Sequence, residues 1–197
     1  CKIGLEMAKA SNSPFFAAHA GFCIDPDPKE LGKAIPYDDS FDREQHKKVF
    51  LASVLNILEV ADKLNINFLI ENNVLAPFNY SGKNPLLCCD FEDIEWLFQQ
   101  IEHKHLGLLL DTAHLKVSCV TLGKNLEAEF LKIVPYVQAL HHSDNDGTHD
   151  SNESIDEQYW FLKFKEQFSE TTQVLEVKNI SEKQIESQLN LIQSSGN

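Results

Sequence analysis

The chain has 197 residues, 43% hydrophobic and 24% charged, with a formal net charge of −13. That length suits one domain, and this hydrophobic fraction can fill a core. The acid excess excludes a surface built to grip a phosphate backbone, which needs Lys and Arg, so no nucleic-acid partner is expected.

The opening CKIGLEMAKA reads as the end of a helix, which implies sequence upstream. Next comes the apolar run FFAAHAGF (15–22), short enough for a buried strand and carrying His19. A loop at 24–40 with Pro26, Pro28 and Pro36 leads into FDREQHKKVFLASVLNILEVADKLN (41–65). There Phe50, Val54, Ile57 and Leu58 recur at helical spacing, and Asp42 with Gln45 resembles a capping box. The run NFLIENN (67–73) is the second predicted strand and ends on Glu71; a second long loop, 74–90, follows with Pro77 and Pro85. A helix is predicted over 91–103, with Ile94, Leu97, Phe98 and Ile101 on one face.

The third run, LGLLLDTAH (106–114), stops abruptly at Asp111, with His114 three residues on. Asp111 alone would cap the following helix through the amides of Thr112 and Ala113. After a predicted helix at 125–134 comes VQALHHSD (137–144), with His141, His142 and Asp144. A further predicted helix at 158–168 precedes QVLEVKN (173–179), which holds Glu176, and a last helix spans 181–194 with Ser181 as its N-cap.

Strand–helix alternation implies crossover connections and a parallel sheet, an α/β fold. One carboxylate or imidazole per repeat, at the same end of successive strands, converges on the C-terminal face of a parallel barrel. Each of these residues alone is more often a cap or a surface group. Burying Glu, Asp, His and Glu together costs heavily without a cation or a hydrogen-bond network. The set lacks thiolates, so a structural zinc site does not fit; a single Mn²⁺, Co²⁺, Mg²⁺ or Zn²⁺ does. Five cysteines, odd in number and without CxxC, read as free thiols of a reducing compartment. With no signal peptide and no apolar stretch of membrane-spanning length, a cytoplasmic location is expected and no membrane partner.

HAGF, LIENN, LLLDTAHLKVS, HHSDNDGTHDSN and LEVKN, in this order, resemble the xylose-isomerase-like TIM barrels, which include sugar and sugar-phosphate isomerases and epimerases and the AP endonucleases (family 2) of the endonuclease IV type. The resemblance implies a (β/α) TIM barrel lacking its first strands: one domain over residues 1–197, the C-terminal two-thirds of a full barrel. It implies a divalent-metal site of Glu71, Asp111, His141 and Glu176. His141 is preferred to His142 because the family ligand lies three residues before the aspartate, here Asp144. Glu71 and Glu176 double as the acid/base pair, and His19, His114, Lys116 and Asp144 are expected at the substrate. Lys116 reads equally as a solvated helix residue.

The implied activity is metal-dependent isomerisation or epimerisation of a sugar or sugar phosphate by proton transfer beside a carbonyl. The partner is a small carbohydrate, and a homo-oligomer is compatible with this reading. One alternative is an AP-endonuclease-like phosphodiesterase. Against it, the endonuclease Asp-x-His is here Asp150-Ser151-Asn152, and an amide is a poor zinc ligand beside imidazole. Another is a non-catalytic carbohydrate-binding barrel with Trp96 or Trp160 as a stacking platform.

Overall fold

The five apolar runs form five short strands: β1 (Phe15–His19), β2 (Asn67–Glu71), β3 (Leu106–Asp111), β4 (Val137–His142) and β5 (Thr172–Leu175). The computed structural model describes residues 1–27, 29, 33–36 and 40–193; Pro28 and residue 194 of the sequence reading lie outside these. The strands pair in chain order, every pair parallel. Parallel neighbours need crossovers. α2 (Arg43–Leu64) joins β1 to β2, α3 (Phe91–Gln100) joins β2 to β3, and α4 (Thr112–Leu122) with α5 (Leu126–Ile133) joins β3 to β4. α1 (Lys2–Ala10) precedes the sheet and α6 (Glu182–Ile192) follows it.

Local chemistry sets the helix ends. The Asp42 side chain accepts the Gln45 N–H at the start of α2, as its sequence suggests, and Asn65 closes that helix in the left-handed region. Gly123 does the same for α4 at φ 66°. Ser181 opens α6 and donates its backbone N–H to Gln184 Oε1. α4 is buried on almost every side, which suits a helix apolar all round.

Alternation along the strands builds two layers. Phe68, Ile70, Leu108, Leu110 and Leu140 join the large core under the helices. Leu69, Leu109 and Ala139 form a separate inner cluster with Phe15 and Ala17. His19, Glu71, Asp111 and His141 stand two residues beyond Ala17, Leu69, Leu109 and Ala139 on their strands. Period two therefore sends all four side chains to the inner face, above that apolar layer. In the register, His19 lies opposite Glu71 and Asp111 opposite His141.

The segment 158–168 departs from the sequence reading. Its regular part, Leu162–Phe168, is a 3₁₀ helix rather than an α-helix. Trp160, Phe161, Phe164 and Phe168 all pack against Phe130 of α5, and the tighter winding aligns residues three apart. Trp160 is thereby part of an aromatic core. Trp96 is half-buried on α3 beneath the Lys47 ammonium. Neither tryptophan offers the open platform the carbohydrate-binding alternative needs. No helix among the described residues is long and apolar enough to cross a membrane.

Candidate metal centre

Glu71, Asp111, His141 and Glu176 meet beyond the C-terminal ends of β2, β3, β4 and β5, with one potential ligand atom from each within 4.8 Å of the others. His141 Nδ1 lies 2.8 Å from Glu176 Oε2, 3.3 Å from Glu71 Oε1 and 4.0 Å from Asp111 Oδ2. These are close approaches, yet the ring makes no hydrogen bond through Nδ1, which is buried. The imidazole points between the carboxylates instead of along a hydrogen-bonding direction to any of them.

Asp111 divides its work between its oxygens. Oδ1 accepts the Ala113 and His114 amides, both at 2.8 Å, and so caps α4. The capped amides are one residue further along than the sequence suggested. Oδ2 is buried and has no hydrogen-bond partner. A carboxylate oxygen and an imidazole nitrogen, both buried without a hydrogen bond and facing one another, suit a cation placed between them. The donor set, three carboxylates and one imidazole, fits a hard or borderline divalent ion.

The electrostatics agree. Burial alone would push His141 down, but Glu176 and Glu71 outweigh it and raise the imidazole to about 10. Its contact with His141 holds Glu176 below the usual carboxylate range. Burial opposes the same shift at Glu71, and His141 and His19 overcome it. Burial pushes Asp111 up despite the neighbouring His114. The cluster thus favours positive charge at its centre.

His142 does something else. Its Nδ1 faces Tyr159 Oη at 3.0 Å and its Nε2 faces Gln173 Oε1 at 2.9 Å, inside the core. Burial lowers it to about 4, so it is neutral at pH 7.

Two further histidines border the cluster. His19 Nε2 lies 3.9 Å from Glu71 Oε2, and its ring centroid is 5.5 Å from that of His114. His114 Nδ1 is 2.9 Å from the Asn72 carbonyl, which can only accept, so this nitrogen carries the proton. Its Nε2 then faces Asp150 Oδ2 at 3.4 Å and Asp111 Oδ2 at 3.8 Å. Against the pull of burial, Asp111 and Asp150 raise His114 to about 9. Lys116 and Asp144 sit differently. Lys116 Nζ donates to Asp144 Oδ1 at 2.6 Å and to the Asn145 carbonyl at 2.5 Å, tying α4 to the loop after β4. Lys116 is therefore no solvated helix residue, and the pair is joined to itself rather than to the four-residue cluster.

The sequence reading did not single out Asn72, Asn73 or Tyr159. The Asn72 amide accepts the Asp111 N–H at 2.7 Å and donates to the Asp111 carbonyl at 3.0 Å, clamping β2 to β3 beside their acidic ends. Asn73 donates to the carbonyls of Ala20, Gly21 and Leu87. Two buried asparagines directly after a strand-ending glutamate, in IENN, were the available signal.

The family model described as xylose isomerase-like TIM barrel matches residues 4–194. The chain belongs to that family. A probable endonuclease 4 of Mesomycoplasma hyopneumoniae (strain J) is 28% identical over 111 residues, 54% of this chain and 37% of that protein. Among solved structures, a D-tagatose 3-epimerase-like protein superposes with a TM-score of 0.70 at 18% identity, covering 97% of this chain and 67% of that one. The 3-keto-D-glucoside 4-epimerase of E. coli superposes with a TM-score of 0.64 at 13% identity, covering 95% of this chain and 65% of that one. At such identities these two structures establish a shared fold. The chain thus spans about two-thirds of the length of these barrels, and its match covers little over a third of the endonuclease.

Proposed function

We propose that this chain carries the centre of a divalent-metal-dependent isomerase or epimerase acting on a sugar or sugar phosphate. The observation that carries this reading is the meeting of Glu71, Asp111, His141 and Glu176, with Asp111 Oδ2 and His141 Nδ1 buried and making no hydrogen bond. These four residues would hold the ion, identified by its donors only as Mn²⁺, Co²⁺, Mg²⁺ or Zn²⁺. When bound, the ion supplies Lewis-acid polarisation of the substrate carbonyl.

The residues do the proton work. Glu71 and Glu176 stand on either side of His141, and both are held in the ionised state needed of a base. One takes the proton from the carbon beside the carbonyl, leaving an enediolate. The other returns a proton from the opposite face, inverting that carbon, or the proton returns to the neighbouring carbon, exchanging aldose and ketose. His19, with its side chain 56% exposed, faces Glu71 from the rim, and the buried His114 flanks it; both suit substrate hydroxyls.

Two features favour this over the phosphodiesterase reading: Asn152 where the endonuclease pattern has its histidine, and the charge of −13. Deuterium incorporation decides between them. The chain, supplied with Mn²⁺ or Co²⁺ in D₂O, is expected to exchange the proton at C3 of a ketohexose such as D-tagatose or D-fructose, read by NMR. Incision of an abasic duplex without any such exchange on a panel of ketoses and their phosphates would favour the endonuclease.

A further inference from the structure

We infer that Tyr159 is a positioning residue for the metal centre, acting through a buried hydroxyl–imidazole relay that touches the chain neighbours of two of its four ligands and reaches the strand that leads to a third; the inference rests on the metal reading above. Tyr159 is 2% exposed and belongs to no strand or helix of the barrel wall. Its hydroxyl meets Thr112 Oγ1 at 2.5 Å and His142 Nδ1 at 3.0 Å. Thr112 follows Asp111, and His142 follows His141. The relay continues from His142 Nε2 to Gln173 Oε1 on β5, three residues before Glu176. Glu176 in turn donates its N–H to the His142 carbonyl at 2.8 Å.

The proton order follows from the fixed end. Gln173 Nε2 donates to the Phe168 carbonyl at 3.0 Å, so its Oε1 is turned to His142 and accepts from Nε2–H. His142 Nδ1 is then bare and accepts the Tyr159 O–H. The Tyr159 oxygen is left to accept from Thr112. Thr112 has a single proton, within reach of both that oxygen and the His141 carbonyl at 3.0 Å.

One phenol therefore fixes the hydroxyl beside Asp111 and the ring beside His141. It also reaches, through Gln173, the strand that delivers Glu176. Glu71 is coupled separately, through the Asn72 clamp on Asp111. Removing the phenol oxygen frees the Thr112 proton and leaves His142 Nδ1 buried without a donor. Both changes fall one residue from a ligand, at the first residue of α4 just past β3 and at the last residue of β4, where the two strand ends must stay in register to present Asp111 Oδ2 and His141 Nδ1 together. Groups hydrogen-bonded to a metal ligand alter metal affinity about 10–100-fold when removed, and Tyr159, one residue further out, is set at the low end of that range.

The test is Co²⁺ titration of the chain, following visible d–d absorption for affinity and coordination geometry, with circular dichroism as the fold control. Tyr159→Phe is expected to weaken Co²⁺ binding about ten-fold or more and to change the band shape. Thr112→Val should reproduce both effects, and Thr112→Ser, which keeps the hydroxyl, should restore them. Tyr136→Phe, which removes a phenol stacked on Phe98, should bind as wild type. Wild-type Co²⁺ binding with an unchanged spectrum and affinity in Tyr159→Phe overturns this inference alone. A melting temperature lowered equally in Thr112→Val and Thr112→Ser, with binding intact, also overturns it, as would be expected of a packing role only. A wild-type chain that binds none of the four ions overturns the metal reading and this inference together.

Discussion

The dipeptide His141–His142 shows how far a residue's neighbourhood decides its chemistry. Sequence cannot separate two adjacent histidines by composition; strand alternation can, because they must face opposite sides. His141 shares its face with Glu71 and Asp111, while His142 enters the core against Tyr159 and Phe161. The depressed value of about 4 at His142 has a consequence for stability. Its folded value lies below the unfolded value, so neutral His142 contributes stability present in full above about 6.5 and lost as pH falls through about 4. At about 1.4 kcal/mol per unit, acidification over that window costs the fold up to about 3 kcal/mol. Chemical denaturation at pH 7 and pH 4.5 should show the loss, and His142→Gln should flatten it; an equal pH slope in that variant would remove His142 as the cause. Glu176 is expected to behave differently. Its side chain is 48% exposed, so Glu176→Gln removes a base without opening the core. Proton exchange on a ketose should fall about 10²–10⁴-fold with circular dichroism unchanged, the range for losing a general base. Retained exchange would place the acid/base role elsewhere.

At the scale of elements, the strand-to-helix passage at Asp111 joins fold and site. β3 is buried throughout and ends on a residue that caps α4 with one oxygen and offers the other to the centre. The two roles separate by substitution. Asp111→Asn keeps an oxygen for the cap, so its stability should stay near wild type while metal affinity falls at least ten-fold. Asp111→Ala removes the cap as well and should lose about 1 kcal/mol more, the usual worth of such a residue. Denaturant titration beside metal titration distinguishes them, and equal stability losses would deny the cap. The strands were legible because each apolar run is short and carries a polar residue at its C-terminal end. The helices at 41–65 and 91–103 were legible from their period, the first also from its Asp42 cap, with ends trimmed by a few residues. The segment 158–168 was not, because phenylalanines three apart at 161 and 164 suit an α-helix and a 3₁₀ helix alike; packing on Phe130 decides. The Lys116–Asp144 pair and the Tyr159 relay were hidden for a related reason. They join residues 28 and 47 positions apart that no local period connects.

For the molecule as a whole, the centre gathers groups from β2, β3 and β4 and from just beyond β5, four of the five strands. An ion held there would be a cross-link among strand ends that contribute three carboxylates to one small volume. Without a cation these carboxylates are balanced at close range by His141, so part of the fold's electrostatic strain sits at this point. Binding to the folded state alone stabilises by about 2.7 kcal/mol at an ion concentration one hundred times Kd. For a chain of this size, about 2–4 °C accompanies each kcal/mol, so the melting temperature should rise by about 5–10 °C on adding the preferred ion and return on chelation. Calorimetric titration should give about one ion per chain, because the sequence has Asn152 where the endonuclease pattern has an imidazole. Glu71→Gln combined with Asp111→Asn should abolish the thermal shift; in the ion-free chain the two changes oppose one another, since Glu71→Gln removes a charge that His141 and His19 stabilise and Asp111→Asn removes one that burial opposes. Three tightly bound ions would contradict the role given to Asn152. A shift of the same size in that double variant would mean that the stabilising ion binds somewhere other than among these four strand ends.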